Sequence, residues 1–190
     1  KPQFNIPDTI QAEEDKTAYL NLDESANDNK TTPENINWEI GNGSFTNTTI
    51  DDRVTSFSPE ANKNGVDKVQ AKITDEAGNT STRDIIINYV NVPDAPVAQD
   101  DNYQTAFETA ITMDVLANDN DVDNDIDPSK TELIIDVSNG NLINNKDGSF
   151  SYTPDNGFEG DDFFTYAAVD ENLKKDTARV DIKVRSDPNT

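Results

Sequence analysis

Four short motifs recur in the same order along this chain, and that recurrence limits its fold more than any other feature. Ala26-Asn27-Asp28-Asn29 returns as Ala117-Asn118-Asp119-Asn120, 91 residues later. Phe57-Ser58-Pro59 returns as Tyr152-Thr153-Pro154, Asn64-Gly65-Val66-Asp67 as Glu159-Gly160-Asp161-Asp162, and Asp75-Glu76 as Asp170-Glu171, each 95 residues later. Ordered matches at a near-constant offset mean two homologous units, each of about 90–95 residues, the size of one small β-sandwich. Between them, Asn91-Val92-Pro93-Asp94-Ala95-Pro96 places two prolines after a strand-like run. Proline cannot continue a ladder and stiffens a connection. The expected division is residues 1–92 and 93–190, with a short linker over about 91–96.

Within each unit the apolar residues alternate with polar ones. Ile111, Met113 and Val115 do so, as do Leu133, Ile135 and Val137, then Phe164, Tyr166 and Ala168, and Ala178, Val180, Ile182 and Val184. The first unit repeats the pattern with Tyr19, Leu20 and Leu22, then Ile36, Trp38 and Ile40, Val69, Ala71 and Ile73, and Ile85, Ile87 and Tyr89. The period is two, and Gly, Asn, Asp and Pro punctuate the gaps, so these runs read as half-buried strands. No stretch reads as a helix. The expected fold is all-β: two tandem Greek-key sandwiches of about seven strands each. In that frame Trp38 and Tyr89 are expected in the core, and Asp75 in a hairpin turn.

Composition removes most chemistries. The chain has no Cys and no His, so disulfides, thiol chemistry, the commonest zinc ligands and His-based catalytic triads are out. Net charge is −23, from 38 acidic and 15 basic residues, which opposes binding to nucleic acid or to an anionic membrane. No apolar run is long enough to span a bilayer, so membrane insertion is not expected. The opening Lys1-Pro2-Gln3-Phe4 is not a signal peptide, and the chain reads as a piece of a larger protein. The acidic pairs Asp100-Asp101 and Asp161-Asp162 have the residue types of a glycosidase, but that chemistry needs a cleft and one raised pKa, and sandwich modules seldom supply a cleft. No enzyme is expected.

The run Asp119-Asn120-Asp121-Val122-Asp123-Asn124-Asp125-Ile126-Asp127 sets five aspartates at alternate positions between two strands. So many like charges are costly without a cation, and calcium takes six to eight oxygens of this kind. The EF-hand pattern does not fit. Its glycine position is Asn124, its terminal glutamate position is Lys130, and there are no flanking helices. A calcium loop of another type and a solvated acidic turn both remain. The acidic excess is greater in the second unit: residues 96–190 hold 21 acidic against 7 basic residues, residues 1–95 hold 17 against 8. That asymmetry favours calcium at the junction of the two units.

Further motifs tie the second unit to a known family. They are Asp94-Ala95-Pro96-Val97-Ala98, Asp114-Val115-Leu116-Ala117-Asn118-Asp119 with its aspartate loop, Asp147-Gly148-Ser149-Phe150-Ser151-Tyr152-Thr153-Pro154, and Phe158-Glu159-Gly160-Asp161-Asp162-Phe163-Phe164-Thr165-Tyr166. Over residues 91 to about 184 the chain resembles the bacterial cadherin-like, Ig-like tandem-repeat modules of large surface adhesins, and the first unit is a weaker copy. The resemblance implies calcium clamped between successive modules. By position, Glu14 and Asp67 are the implied ligands from the first module and Asp94 the linker ligand. Asp119, Asp121, Asp123 and Asp125 come from the loop, and Asp170 completes the set. Glu108 and Asp162 are expected to repeat Glu14 and Asp67. The turn Asn172-Leu173-Lys174-Lys175 departs from the glycines that the family usually places there, which puts the role of Asp170 in question.

The function these readings imply is a calcium-binding structural or adhesion repeat of a bacterial cell-surface or secreted protein. Calcium would rigidify the junction, and neighbouring repeat modules would be its partners. The alternative is a polysaccharide-binding module, with a cell-surface ligand or glycan as partner.

Overall fold

A computed structural model describes residues 1–186 of the chain. The described residues separate into two compact units, 1–92 and 93–186.

The first unit contains β1 (Gln3–Phe4), β2 (Thr9–Glu13), β3 (Ala18–Asn21), β4 (Ala26–Asn27), β5 (Asn37–Ile40), β6 (Thr46–Asp51), β7 (Val54–Pro59), β8 (Gly65–Thr74) and β9 (Thr80–Val90). One sheet has the order β2-β9-β8-β5, the other β3-β7-β6, and β1 pairs with β4. The second unit contains β10 (Asp101–Ala106), β11 (Ile111–Asp114), β12 (Glu132–Ile135), β13 (Gly140–Asn144), β14 (Ser149–Pro154), β15 (Gly160–Val169) and β16 (Lys175–Arg185). Its sheets have the orders β10-β16-β15-β12 and β11-β14-β13. Both units are therefore four-plus-three sandwiches. Their long hairpins, β8–β9 and β15–β16, are antiparallel, whereas the edge strands β2 and β10 run parallel to β9 and β16.

Alternation places the core. In the first unit Leu22, Ile36, Trp38, Phe57, Val69, Ile73, Ile85, Ile87 and Tyr89 are buried together. In the second, Met113, Val115, Phe150, Tyr152, Phe164, Tyr166, Val180, Ile182 and Val184 do the same. Two expected core positions differ. Tyr19 is 69% exposed, because Ala18 and Leu20 take the inward positions of β3 and Tyr19 falls between them. Ile135 is 49% exposed because the pairing of β12 with β15 shifts register between Leu133 and Ile135, and a bulge turns the strand over.

The ladders also give the structural correspondence between the units. β8–β9 and β15–β16 pair residue for residue, with Thr74 opposite Thr80 and Val169 opposite Lys175, so positions on these strands differ by 95. At the leading end, Gln3 pairs with Asn27 and Val97 bridges to Asn120. Asn27 therefore corresponds to Asn120, and Asp28 to Asp121. The shared Asn-Asp-Asn motif had aligned Asp28 with Asp119, two positions earlier. The difference lies in the loop that follows. It reaches a short 3-10 turn at Pro33–Asn35 in the first unit and at Pro128–Lys130 in the second, and the second loop is longer by two residues.

Candidate metal centre

Asp121, Asp125 and Asp170 each offer an oxygen to one cluster in which the three atoms lie within 4.8 Å of one another. Asp121 and Asp125 come from the long loop after Asn120. Asp170 follows the last residue of β15, and an antiparallel bridge between Ile126 and Asp170 brings the two segments together.

Each carboxylate is held by one oxygen and left bare at the other. Asp121 Oδ1 accepts the amide of Asp123 at 2.7 Å, Asp125 Oδ2 accepts Asn172 Nδ2 at 2.9 Å, and Asp170 Oδ1 accepts the amide of Lys174 at 2.7 Å. The remaining oxygens, Asp121 Oδ2, Asp125 Oδ1 and Asp170 Oδ2, are buried and have no hydrogen-bond partner. Asp170 is fully buried and Asp121 is 5% exposed. Burial, with the facing carboxylates of Asp121 and Asp170, pushes the Asp125 carboxyl above its usual range. Buried anionic oxygens without partners are strongly unfavourable, and a hard cation with oxygen preference is the group that satisfies them.

The turn 172–174 supports the cluster. The amide of Lys174 anchors Asp170, and Asn172 orients Asp125. Leu173, at φ 67, occupies the left-handed position that Gly78 takes in the first unit at φ 81. The residues that departed from the family pattern are therefore part of the site's framework. Asn172 was not recognised as such in the sequence, because its contact with Asp125 spans 47 residues.

The other expected ligands have different partners. Asp123 Oδ2 accepts the amide of Asp94 at 2.7 Å, and Lys174 Nζ reaches the carbonyl of Pro93, so the loop is tied to the start of its own unit. Asp119 does not join the cluster. Tyr166 Oη lies at 3.0 and 2.9 Å from its two oxygens, and the amide of Gln99 donates to Oδ1 at 2.8 Å. Burial pushes the Asp119 carboxyl up, and it pushes neighbouring Asp101, whose Oδ2 is buried and unpartnered, to about 7 with help from the Asp119 charge.

In the first unit, Asp67 is an internal cap. Its oxygens accept the amides of Ser44 at 3.0 Å, Phe45 at 2.9 Å, Thr46 at 2.9 Å and Lys68 at 2.8 Å. Burial alone would raise its pKa, but the amides of Phe45 and Ser44 and their neighbours outweigh it and hold the carboxyl at about 2. Gly43 passes so close to this carboxylate that a Cβ would collide with it. Glu14, 4% exposed, accepts the amide of Val92 and, at 3.2 Å, Asn64 Nδ2. Its counterpart is not Glu108. The amide of Glu14 donates to the carbonyl of Val90, and that of Phe107 to the carbonyl of Arg185, so Phe107 holds the equivalent place. Asp162 does repeat Asp67, accepting the amides of Ser138, Asn139 and Phe163.

Residues 93–186 match the family described as the bacterial cadherin-like domain, and residues 1–88 the family described as the bacterial Ig domain. No curated protein matches the chain. Among solved structures, EC1-2 of human mucin-like protocadherin is similar at 14% identity with a TM-score of 0.51, over 98% of this chain and 99% of that one. Human CDH23 EC21-23 is similar at 12% identity with a TM-score of 0.57, over 93% and 66%. An endo-fucoidan hydrolase of glycoside hydrolase family 107 aligns at 20% identity with a TM-score of 0.42, and there this chain spans 29% of the larger protein.

Proposed function

Starting from a chain that belongs to the bacterial Ig and bacterial cadherin-like domain families, the first module to one and the second to the other, we propose that its second module binds calcium and that the tandem is a structural or adhesion segment of a secreted or surface-bound bacterial protein. The observation that carries this reading is the set of three buried, partnerless oxygens on Asp121, Asp125 and Asp170. Domains of these families are typically non-enzymatic and usually occur in extracellular proteins, where calcium is plentiful.

Calcium would be held by Asp121, Asp125 and Asp170, and it would supply positive charge that relieves their mutual repulsion. Asp123 and Lys174 would pass the ordering on, because they bind the amide of Asp94 and the carbonyl of Pro93. A cation that orders the loop thereby orders the segment that leads into the second module. On this reading calcium stiffens the connection to neighbouring modules, which are the partners of the tandem.

Calorimetric titration of calcium into the chain and into Asp170→Asn tests the reading. The expected result is a saturable site in the native chain that is weakened about tenfold or more in the variant, which still melts cooperatively in chelator. Equal affinity in the two would refute it. Small-angle scattering in calcium and in chelator tests the stiffening, which predicts a narrower spread of particle dimensions in calcium.

A further inference from the structure

Basic residues are scarce in the second module, and they are not scattered. Four of the seven Lys and Arg of residues 96–190 lie on β16: Lys175, Arg179, Lys183 and Arg185. All four occupy outward positions, because Ala178, Val180, Ile182 and Val184 take the inward ones. The fold does not demand this. The corresponding outward positions of β9 hold Thr80, Asp84, Asn88 and Val90.

Three of the four cations already have partners. Lys175 pairs with Glu132 at 3.0 Å, Arg179 with Asp181 at 2.7 Å and Arg185 with Asp161 at 2.9 Å. Lys183 sits in the ladder between Gln104 and Asp161, but Asp161 is drawn to Arg185, and Lys183 has no ion pair among the described residues. Two shallow grooves meet at Lys183. One, of about 320 Å³, is lined by Asn102, Asp161, Arg179, Asp181 and Lys183, and the other is lined by Tyr103 and Gln104 with Lys183. The guanidinium of Arg179 stacks 3.7 Å from the centre of the Phe163 ring and is held flat beside the larger groove.

We propose that this outward face of β10 and β16 binds an anionic polysaccharide, a chain of sugars bearing sulfate or carboxylate groups. Charge complementarity names the occupant: the face sets Lys175, Arg179, Lys183 and Arg185 against Glu132, Asp161 and Asp181, so its strands carry a net positive charge in an otherwise acidic module, and Lys183 is the one of the four cations left without an ion pair among the described residues. Strands rise about 3.3 Å per residue, so Arg179 and Lys183 stand about 13 Å apart. That spacing suits an anion repeated along a polymer better than a single small ion. Asn102 and Gln104 beside Lys183 offer amides to hydroxyl groups, which sugars have in quantity. The site is independent of the calcium centre, because none of its residues belongs to the cluster of Asp121, Asp125 and Asp170.

The test is affinity electrophoresis of the chain through gels containing dextran sulfate, polygalacturonate or uncharged dextran, with and without chelator. The proposal predicts retardation by one of the two charged polymers, and which one it is assigns sulfate or carboxylate. It predicts no retardation by dextran, retention of the effect in chelator, and a loss of at least about tenfold in Lys183→Glu, which weakens further in salt. Lys183→Gln should fall between, and Asp121→Asn should bind as the native chain does. Retardation that disappears in chelator and survives Lys183→Glu would mean that calcium bridges the polymer to the acidic loop, and the proposal would fall. It would also fall if neither charged polymer bound, or if Lys183→Glu abolished only a salt-sensitive self-association.

Discussion

The two modules hold the same pair of carboxylates at their leading ends and treat them differently. In the first, Asp75 is satisfied at both oxygens and Asp28 at one. Asp28 Oδ1 accepts the amides of Lys30 and Thr31, and its buried Oδ2 has no hydrogen-bond partner. Asp75 is gripped by Asn79, whose amide and side chain reach both of its oxygens. In the second, the equivalent Asp121 and Asp170 each keep one bare oxygen, and the two extra loop residues bring Asp125 in as a third. The position of Asn79 is taken by Lys174, whose amide still anchors Asp170 but whose side chain turns to Pro93. An exchange of one side chain thus separates a fully hydrogen-bonded Asp75 from an Asp170 with a bare oxygen, and a two-residue insertion adds Asp125, so that one bare oxygen becomes three.

The largest expected effect is of calcium on stability. At calcium a hundredfold above its dissociation constant, the second module should gain about 2.7 kcal/mol. A domain of this size then melts about 10–20 °C higher. The first module, with one bare oxygen on Asp28 against three on Asp121, Asp125 and Asp170, should gain less, so scanning calorimetry in calcium should resolve two transitions that move apart. Equal shifts in both would break the comparison.

The modules should also answer oppositely to acid. The Asp67 carboxyl is depressed to about 2, so it stabilises the first module at any pH above about 4 and that contribution is lost as pH falls towards 2. Asp101 is raised to about 7, so without calcium it weakens the second module at neutral pH. Lowering the pH from 7 to 5 in chelator should protonate it and return on the order of 1–2 kcal/mol to the second module. Thermal melts at pH 7 and 5 check this, and the gain would be absent if Asp101 were ionised in both the folded and the unfolded chain over that range.

Lys174→Asn would move the second module towards the first. A side-chain amide there should satisfy Asp170 Oδ2, raise the melting temperature in chelator and weaken calcium about tenfold, all readable by titration and melting on one sample. The smallest effect is expected at Leu173. Its left-handed backbone costs about 1 kcal/mol relative to glycine, so Leu173→Gly should stabilise the module by up to that amount and leave calcium affinity unchanged.

Much of the fold was readable because burial imposes period two on the long hairpin strands, as in Val180, Ile182 and Val184. Tyr19 and Ile135 were not readable. Apolar character does not say which of two neighbours points inwards, and a bulge resets the count. For the site, the density of aspartates pointed to the right loop, but identity matching set Asp28 against Asp119. Only strand pairing shows that Asp121 is the equivalent residue and that Asp119 bonds to Tyr166 in a place where the first module has Ala26 and Ala71. The role of Asp67 was hidden for a similar reason. Three of its four amide donors lie more than 20 residues away, in a loop with no motif of its own.

A crystal structure of the chain grown in calcium, with anomalous scattering used to place the ion, tests the central claim most directly. The account predicts a calcium ion bonded to oxygens of Asp121, Asp125 and Asp170. An ion elsewhere, or a cluster that stays without one at saturating calcium, would contradict it.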